Sequence, residues 1–331
     1  MISSFRLSSV RLNGRLLSSG PLFLSRLLST STSVSPGLDP SENKAARLLV
    51  HGPDSKGIVA SFSQILFDQG CGIIDSASEQ STDGKTKLFF QRIVFDYGSH
   101  DSPSFRKEIE YRVHDQCRAF GMESYLNWGD RRKRVAIMVS KYDHCLWELL
   151  LRHRAHELDC DIVAIISNHP DLQNVAETFS LPYHHFSINP ENKPEQEERE
   201  MQLLTDTYKV DVVVLARYMQ VLSDAFVGQW PNRIINIHHS FLPAFLGGKP
   251  YHKAHERGVK LIGATAHFTT VDLDEGPIIE QDIARVSHRD TVNDMIRKGR
   301  TLEKNVLVHA LKAYLEDRII VYKNKCIVFG E

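Results

Sequence analysis

Asp211-Val212-Val213-Val214-Leu215-Ala216-Arg217-Tyr218 contains the most apolar strand-like run of the chain and decides the fold class of its second half. A strand with no polar face belongs in a sheet covered on both sides, the usual setting of parallel strands. The flanking sequence repeats the pattern. Strand-like runs at 135–139, 162–166 and 183–188 alternate with helical stretches at 145–154 and 172–179. The polar segment 191–206 makes the next crossover, and one more helix leads to Ile234-Ile235-Asn236-Ile237. Strands separated by short helical crossovers predict an α/β domain over residues 135–331, with a doubly wound, mostly parallel sheet. Ligands of such sheets sit beyond the carboxyl ends of the strands. Arg217-Tyr218 and Ile237-His238 are two such ends, and they are expected to face one cleft.

The chemistry is concentrated in the second of those ends. Asn236-Ile237-His238-His239-Ser240-Phe241-Leu242-Pro243 runs into a Gly247-Gly248-Lys249-Pro250 loop. The strand-like Gly263-Ala264-Thr265-Ala266-His267-Phe268 follows, then Asp272-Leu273-Asp274-Glu275-Gly276-Pro277. Side chains on a strand alternate, so Asn236 and His238 share a face while Ile235, Ile237 and His239 take the other. An amide and an imidazole where a strand meets a loop stabilise an oxyanion and move a proton. Asp274, brought beside them by a later turn, would orient the imidazole and an attacking water. That set suits hydrolysis or acyl transfer. No metal is expected: His238 and His239 diverge, and although His252 and His255 have helical spacing, a catalytic zinc needs three converging ligands.

Residues 44–128 read differently, as βαββαβ. Leu48-Leu49-Val50 is a short strand, Gly52-Pro53-Asp54-Ser55-Lys56-Gly57 a turn, and Ile58, Phe62, Ile65 and Leu66 mark one face of a helix. Strand-like runs at 73–80 and 88–95 flank Asp83-Gly84, a hairpin signal. Phe105, Ile109, Val113 and Cys117 mark a second helix before a last strand ending in Trp128. Residues 129–134, Gly-Asp-Arg-Arg-Lys-Arg, form a charged joint expected to be a solvated linker, since no aromatic residues interleave with its charges.

With 331 residues the chain can bury a sizeable core, and its net charge of −1 gives no electrostatic case for nucleic acid or an anionic membrane. No apolar run reaches the ~18 residues of a spanning helix. The five cysteines include no Cys-x-x-Cys pair, which fits a reducing compartment and packing roles. Residues 1–38 carry Arg6, Arg11, Arg15 and Arg26, many serines and no acidic residue before Asp39, with Leu7, Val10, Leu16 and Leu17 between the arginines. That is the composition of a mitochondrial transit peptide and predicts a matrix location.

The Asn-Ile-His, Ser-Phe-Leu-Pro and Leu-Asp-Glu-Gly-Pro motifs together resemble the folate-dependent formyltransferase family. Asn-Ile-His-His-Ser-Phe-Leu-Pro-Ala-Phe and Gly-Ala-Thr-Ala-His-Phe are most similar to that family's hydrolytic branch. The resemblance runs from about Ala46 to the C-terminus. It implies that Asn236, His238 and Asp274 are catalytic, that His267 supports them, and that no metal or separate cofactor takes part. It also implies folate contacts at Met219, Gln220, Val221, Leu222 and Thr270. Gly-Pro-Asp-x-Lys-Gly-Ile resembles the opening of an ACT domain, a ligand-sensing and oligomerising module. This implies a homo-oligomer and an amino-acid effector near Asp54, Lys56, Gly57 and Ile58.

One departure separates hydrolysis from transfer. A phosphorylated acceptor is best held by a glycine-rich loop opening a helix after the first strand of the sheet. That position reads Ser140-Lys141-Tyr142-Asp143-His144-Cys145, with no glycine and an aspartate where phosphate would sit. Water is then the expected nucleophile and 10-formyltetrahydrofolate the substrate, giving formate and tetrahydrofolate. In a mitochondrion this would serve glycine–serine interconversion and photorespiration, with formate available for purine synthesis. A formyltransferase to an unphosphorylated small acceptor and a non-catalytic folate or amino-acid sensor are the alternatives.

Overall fold

Alternation along β1 (Ala45–Pro53) sends Ala46, Leu48 and Val50 to one face and Leu49 to the other, and all four are buried. A strand buried on both faces must be internal, and β1 is. The computed structural model describes residues 45–98, 101–244 and 250–330; the basic leader and Gly247-Gly248-Lys249 lie outside the described residues. After β1 come α1 (Ile58–Asp68), β2 (Gly72–Asp83), β3 (Thr86–Asp96), α2 (Pro103–Phe120) and β4 (Glu123–Asn127). The sheet is antiparallel in the order β2-β3-β1-β4, a ferredoxin-like βαββαβ arrangement. Ile58, Phe62 and Leu66 of α1 and Ile109, Val113 and Cys117 of α2 pack with Ala46, Leu48, Val50 and Ile93 in one core.

The second half supplies β5 (Lys133–Val139), α3 (His144–Arg154), β6 (Cys160–Ser167), α4 (Gln173–Thr178), β7 (Tyr183–His185) and α5 (Lys193–Gln202). A short π-helical turn, Leu203–Thr207, closes α5 before β8 (Val212–Leu215), α6 (Asp224–Gly228), β9 (Ile234–His238) and α7 (Pro250–Arg257). β10 (Leu261–Phe268), β11 (Ile278–Arg285), α8 (Val292–Leu315), β12 (Ile319–Tyr322) and β13 (Lys325–Val328) complete the chain. The seven-stranded sheet has the order β11-β10-β9-β8-β5-β6-β7, parallel from β9 to β7, with β10 antiparallel to both of its neighbours. Val135, Ile137 and Val139 face one core with α3 and α8, while Ala136 and Met138 face a second with Phe226 and Trp230. Cores on both faces make the sheet doubly wound. The chain runs outward from β5 through β6 to β7, then returns to place β8 on the other side of β5. This reversal leaves a crevice at the carboxyl ends of β5 and β8.

The joint between the halves is tighter than its sequence suggests. Lys133 and Arg134 belong to β5, and Lys133 is half-buried with its Nζ 2.6 Å from Asp317 Oδ1. Arg131 pairs with Asp211, and Arg92 donates to the carbonyls of Glu316 and Asp317. Residues 129–132 are exposed, as expected of a solvated linker, whereas Lys133 departs from that reading because the C-terminal end of α8 presents the carbonyls of Tyr314 and Leu315 and the Asp317 carboxylate to it. The β12–β13 hairpin then covers the second face of β1, packing Ile320 and Phe329 on Leu49 and Phe90.

Candidate active site

A cleft of about 470 Å³ opens at the carboxyl ends of β8 and β9. Register delivers its central residues. β10 pairs antiparallel with β9 so that His267 lies opposite Asn236, and a bulge at Ala266/His267 re-aims the strand on its other edge. The turn after β10 then brings Asp274 back over both. His238 Nδ1 lies 3.2 Å from Asp274 Oδ1, and Asn236 Nδ2 lies 3.1 Å from His267 Nε2. Asp274 therefore meets Asn236 and His238 from thirty-six positions beyond His238, as the motifs predicted, with His267 joining them.

The hydrogen bonds fix the protons. His267 Nδ1 sits 2.9 Å from the carbonyl of Phe268, which only an N–H can face. Its Nε2 therefore accepts from the Asn236 amide, which sets the orientation of that amide and leaves its second N–H to donate into the cleft. At 3.7 Å from Asp274, His267 Nε2 is too distant for a hydrogen bond and becomes attractive only if the ring gains a second proton. The hydrogen bond from His238, then the nearness of His267, hold the Asp274 carboxyl well below the usual carboxylate range despite its burial. An ionised Asp274 keeps the proton of His238 on Nδ1, so the Nε2 lone pair is available. That Nε2 is buried and has no hydrogen-bond partner within the described residues. A buried, unpaired imidazole nitrogen oriented by a carboxylate is the arrangement of a general base.

Asp274 takes φ 58 and Arg217, on the opposite wall, φ 64, both in the left-handed region that costs most residues about 1–2 kcal/mol. The turn carrying Asp274 is held by close approach: a Cβ on Gly276 would come 1.7 Å from the carbonyl oxygen of Phe268. Gly276→Ala is therefore expected to displace Asp274, lowering turnover on the order of tenfold and stability by about 1–3 kcal/mol. Steady-state kinetics and urea unfolding check this; unchanged turnover would show that the close approach does not place Asp274.

The loop Met219-Gln220-Val221-Leu222 lines the cleft, with Met219 and Val221 exposed at its mouth. Thr270 does not line it; its hydroxyl donates to the Asp272 carbonyl inside the turn, and Thr269 is the lining residue. Beneath the loop lies a buried carboxylate, Glu200, which accepts from Tyr218 Oη at 3.4 Å. Burial and the neighbouring Glu197 push its carboxyl up to about 8. A raised carboxyl pKa contributes stability that is full below the unfolded value and is lost as pH rises through the folded one. Glu200→Gln is expected to melt above the native protein by a margin that widens from about pH 5 to about pH 8. A margin independent of pH would refute this.

His239 contradicts its expected placement on the far face. It lines the same cleft, its ring 5.2 Å from that of His238. β9 ends at His238, so strand alternation no longer governs the next residue. Burial, Arg217 and His238 pull its pKa down to about 4, so it is neutral at ordinary pH. Sequence reasoning also gave no role to Arg217, His144, Tyr251 or Glu303, which line the opposite wall. Only Arg217 carried a signal, as a charge directly beyond an apolar strand. His144, Cys145 and Glu303 are close enough to share a metal ion, although His144 and Glu303 already bond each other at 2.7 Å. In the first domain, Gly57 (φ 93) caps α1 with Lys56 exposed beside it, Asp54 accepts from Gln80, and Ile58 is buried in the core.

Known proteins agree with this geometry. Residues 133–311 match the profile of the Formyl transferase family. Formyltetrahydrofolate deformylase of Synechocystis sp. is 48% identical over 87% of this chain and all of its own length. The Bacillus subtilis protein of the same name is 48% identical over 88% of this chain and 96% of its own. The crystal structure of a formyltetrahydrofolate deformylase from Pseudomonas syringae pv. tomato superposes with a TM-score of 0.81 at 42% identity, covering 87% of this chain and 95% of that one. A glycinamide ribonucleotide transformylase from Symbiobacterium toebii matches 62% of this chain and 97% of its own, with a TM-score of 0.57 at 29% identity. The chain belongs to the formyl transferase family, within its formyltetrahydrofolate deformylase branch.

Proposed function

We infer that the protein hydrolyses 10-formyltetrahydrofolate to formate and tetrahydrofolate. The observation that carries this is the convergence of Asn236, His238 and Asp274 in one cleft, with His238 Nε2 buried and unpaired. Nε2 takes a proton from water as its oxygen attacks the formyl carbon. Asp274 holds Nδ1 and stabilises the imidazolium, while the free N–H of Asn236 stabilises the oxyanion. On collapse, His238 returns the proton to N10 as the C–N10 bond breaks. The folate is substrate, and the residues that act on it suffice without a further cofactor. Incubating purified protein with 10-formyltetrahydrofolate should yield formate and tetrahydrofolate in equal amounts; binding without turnover would leave a folate sensor instead.

The finer parts of the proposal are regulation and place. The βαββαβ unit is read as an ACT domain that joins chains into a homo-oligomer and binds an amino acid near Asp54, Lys56 and Gly57. The edge strand β2 supports this, being exposed along most of its twelve residues and carrying exposed Ile73 and Ile74. Light scattering tests the oligomer, and formate release with and without glycine or methionine tests the effector. Residues 1–38 are read as the transit peptide that delivers the enzyme to the mitochondrial matrix, next to glycine–serine interconversion and photorespiration. Import of a labelled full-length chain into isolated mitochondria tests that address.

A further inference from the structure

One wall of the cleft is built from charged residues that the hydrolytic steps do not use. Arg217 stands two residues beyond β8 in the left-handed region, where glycine is at ease and arginine is not. It is nonetheless 9% exposed and held from two sides. Its Nε lies 3.4 Å from Glu303 Oε2, an ion pair without hydrogen-bond geometry, and its guanidinium rests 5.3 Å from the centre of the Tyr142 ring. Glu303, 1% exposed in the middle of α8, also accepts from His144 Nε2 and from Tyr251 Oη, each at 2.7 Å. Burial alone would push the Glu303 carboxyl up, but His144, Arg217 and Tyr251 together hold it below the usual range. The helix itself is shaped for this contact: a Cβ on Gly299 would meet Tyr251 Oη at 2.0 Å.

Such a cluster is a poor source of stability. Each buried charge costs several kcal/mol of lost hydration, which the partner offsets only in good geometry, and the left-handed arginine adds about 1–2 kcal/mol. Both costs fall on one wall of the catalytic cleft, where strain and buried charge mark function. That wall adjoins the reacting centre through His239, whose ring lies 5.2 Å from His238 and 6.3 Å from Tyr251.

Asn236, His238 and Asp274 serve water and an amine equally well. Either nucleophile loses a proton to His238, either forms an oxyanion, and in either case N10 is protonated as it leaves. A choice between hydrolysis and transfer must therefore come from access to the formyl carbon. On the hydrolytic reading above, we propose that Arg217, ion-paired with Glu303 and resting on Tyr142, is the specificity-determining residue: it fills the acceptor side of the cleft and admits water while excluding a primary amine. Removing its side chain opens that side. The amine nitrogen then bonds to the formyl carbon, its proton passes through His238 to N10, the C–N10 bond breaks, and the products are an N-formyl amine and tetrahydrofolate.

The positive φ makes Arg217→Gly a substitution the backbone accepts. The full chain and this variant are incubated with 10-formyltetrahydrofolate, with and without glycinamide, and formate and N-formylglycinamide are quantified by mass spectrometry. The native protein is expected to release formate only. Arg217→Gly is expected to divert at least about a tenth of its turnover to N-formylglycinamide. Arg217→Lys, which keeps the charge and most of the volume, is expected to remain hydrolytic. Tyr142→Ala, an exposed position, removes the face on which the guanidinium rests and is expected to divert a smaller share; it stands in if Arg217→Gly is insoluble. Formate release by the native protein with no N-formyl product from any soluble variant overturns the proposal. Absence of formate release by the native protein overturns the hydrolytic reading itself.

Discussion

His238→Ala is expected to lower the turnover number for formate release by at least about 10²-fold and as much as about 10⁴-fold, the range for losing a positioned acid/base. The reason is local. Nε2 is a buried, unpaired imidazole nitrogen of a cleft-lining residue, and Asp274 already engages Nδ1. His144 also has an unpaired Nδ1, but its Nε2 ties it to Glu303 on the opposite wall. His239 is pulled down to a pKa of about 4 and makes a weak base, and His267 Nε2 accepts from Asn236. The alanine variant should bind folate nearly as the native protein does, because the apolar loop at 219–222 is untouched. Near-normal turnover with an unchanged melting temperature would reject the assignment of the base.

The second large effect is expected at Asp274. Asp274→Asn keeps the shape of the side chain but loses the charge that holds the His238 proton on Nδ1. The amide can instead donate to Nδ1, which moves the imidazole proton to Nε2 and leaves the cleft facing a donor where a base is needed. Where a carboxylate orients a catalytic histidine in this way, the same change costs about 10⁴-fold in turnover, and a loss of about 10³-fold or more is expected here. Asp274→Glu should recover part of the activity, since it restores the charge with a displaced carboxylate. A loss of less than about tenfold in Asp274→Asn would show that Asp274 shapes the turn and takes no part in the chemistry. The two variants combined should cost little more than His238→Ala alone, because the residues act as a unit.

Much of this was legible along the chain. The four consecutive apolar residues of β8 announced a strand covered on both faces, and both faces carry a core. Asn236 and His238, two apart on β9, line one cleft as strand alternation requires. The same rule failed one residue later, at His239, because β9 stops at His238 and a periodicity holds only while the element lasts. Thr270 came from the resemblance and no local pattern, and its hydroxyl bonds the Asp272 carbonyl within the turn. At the charged joint Lys133 departs from the solvated reading, because its partner Asp317 is distant in sequence.

The sequence by itself determined the class of fold, the strand ends at which a cleft lies, and three residues, Asn236, His238 and Asp274, that line it, because each is written in a local pattern or a motif. Only the tertiary structure decided what surrounds them. The pairing of β9 with β10 puts His267 on the Asn236 amide, and the close passage of Gly276 against Phe268 brings Asp274 to His238. The left-handed turn at Arg217 meets a carboxylate from the middle of α8, eighty-six positions later. The physical reason is that hydrogen-bond geometry and desolvation depend on distance in space, which strand register and helix packing set and which no spacing along the chain encodes.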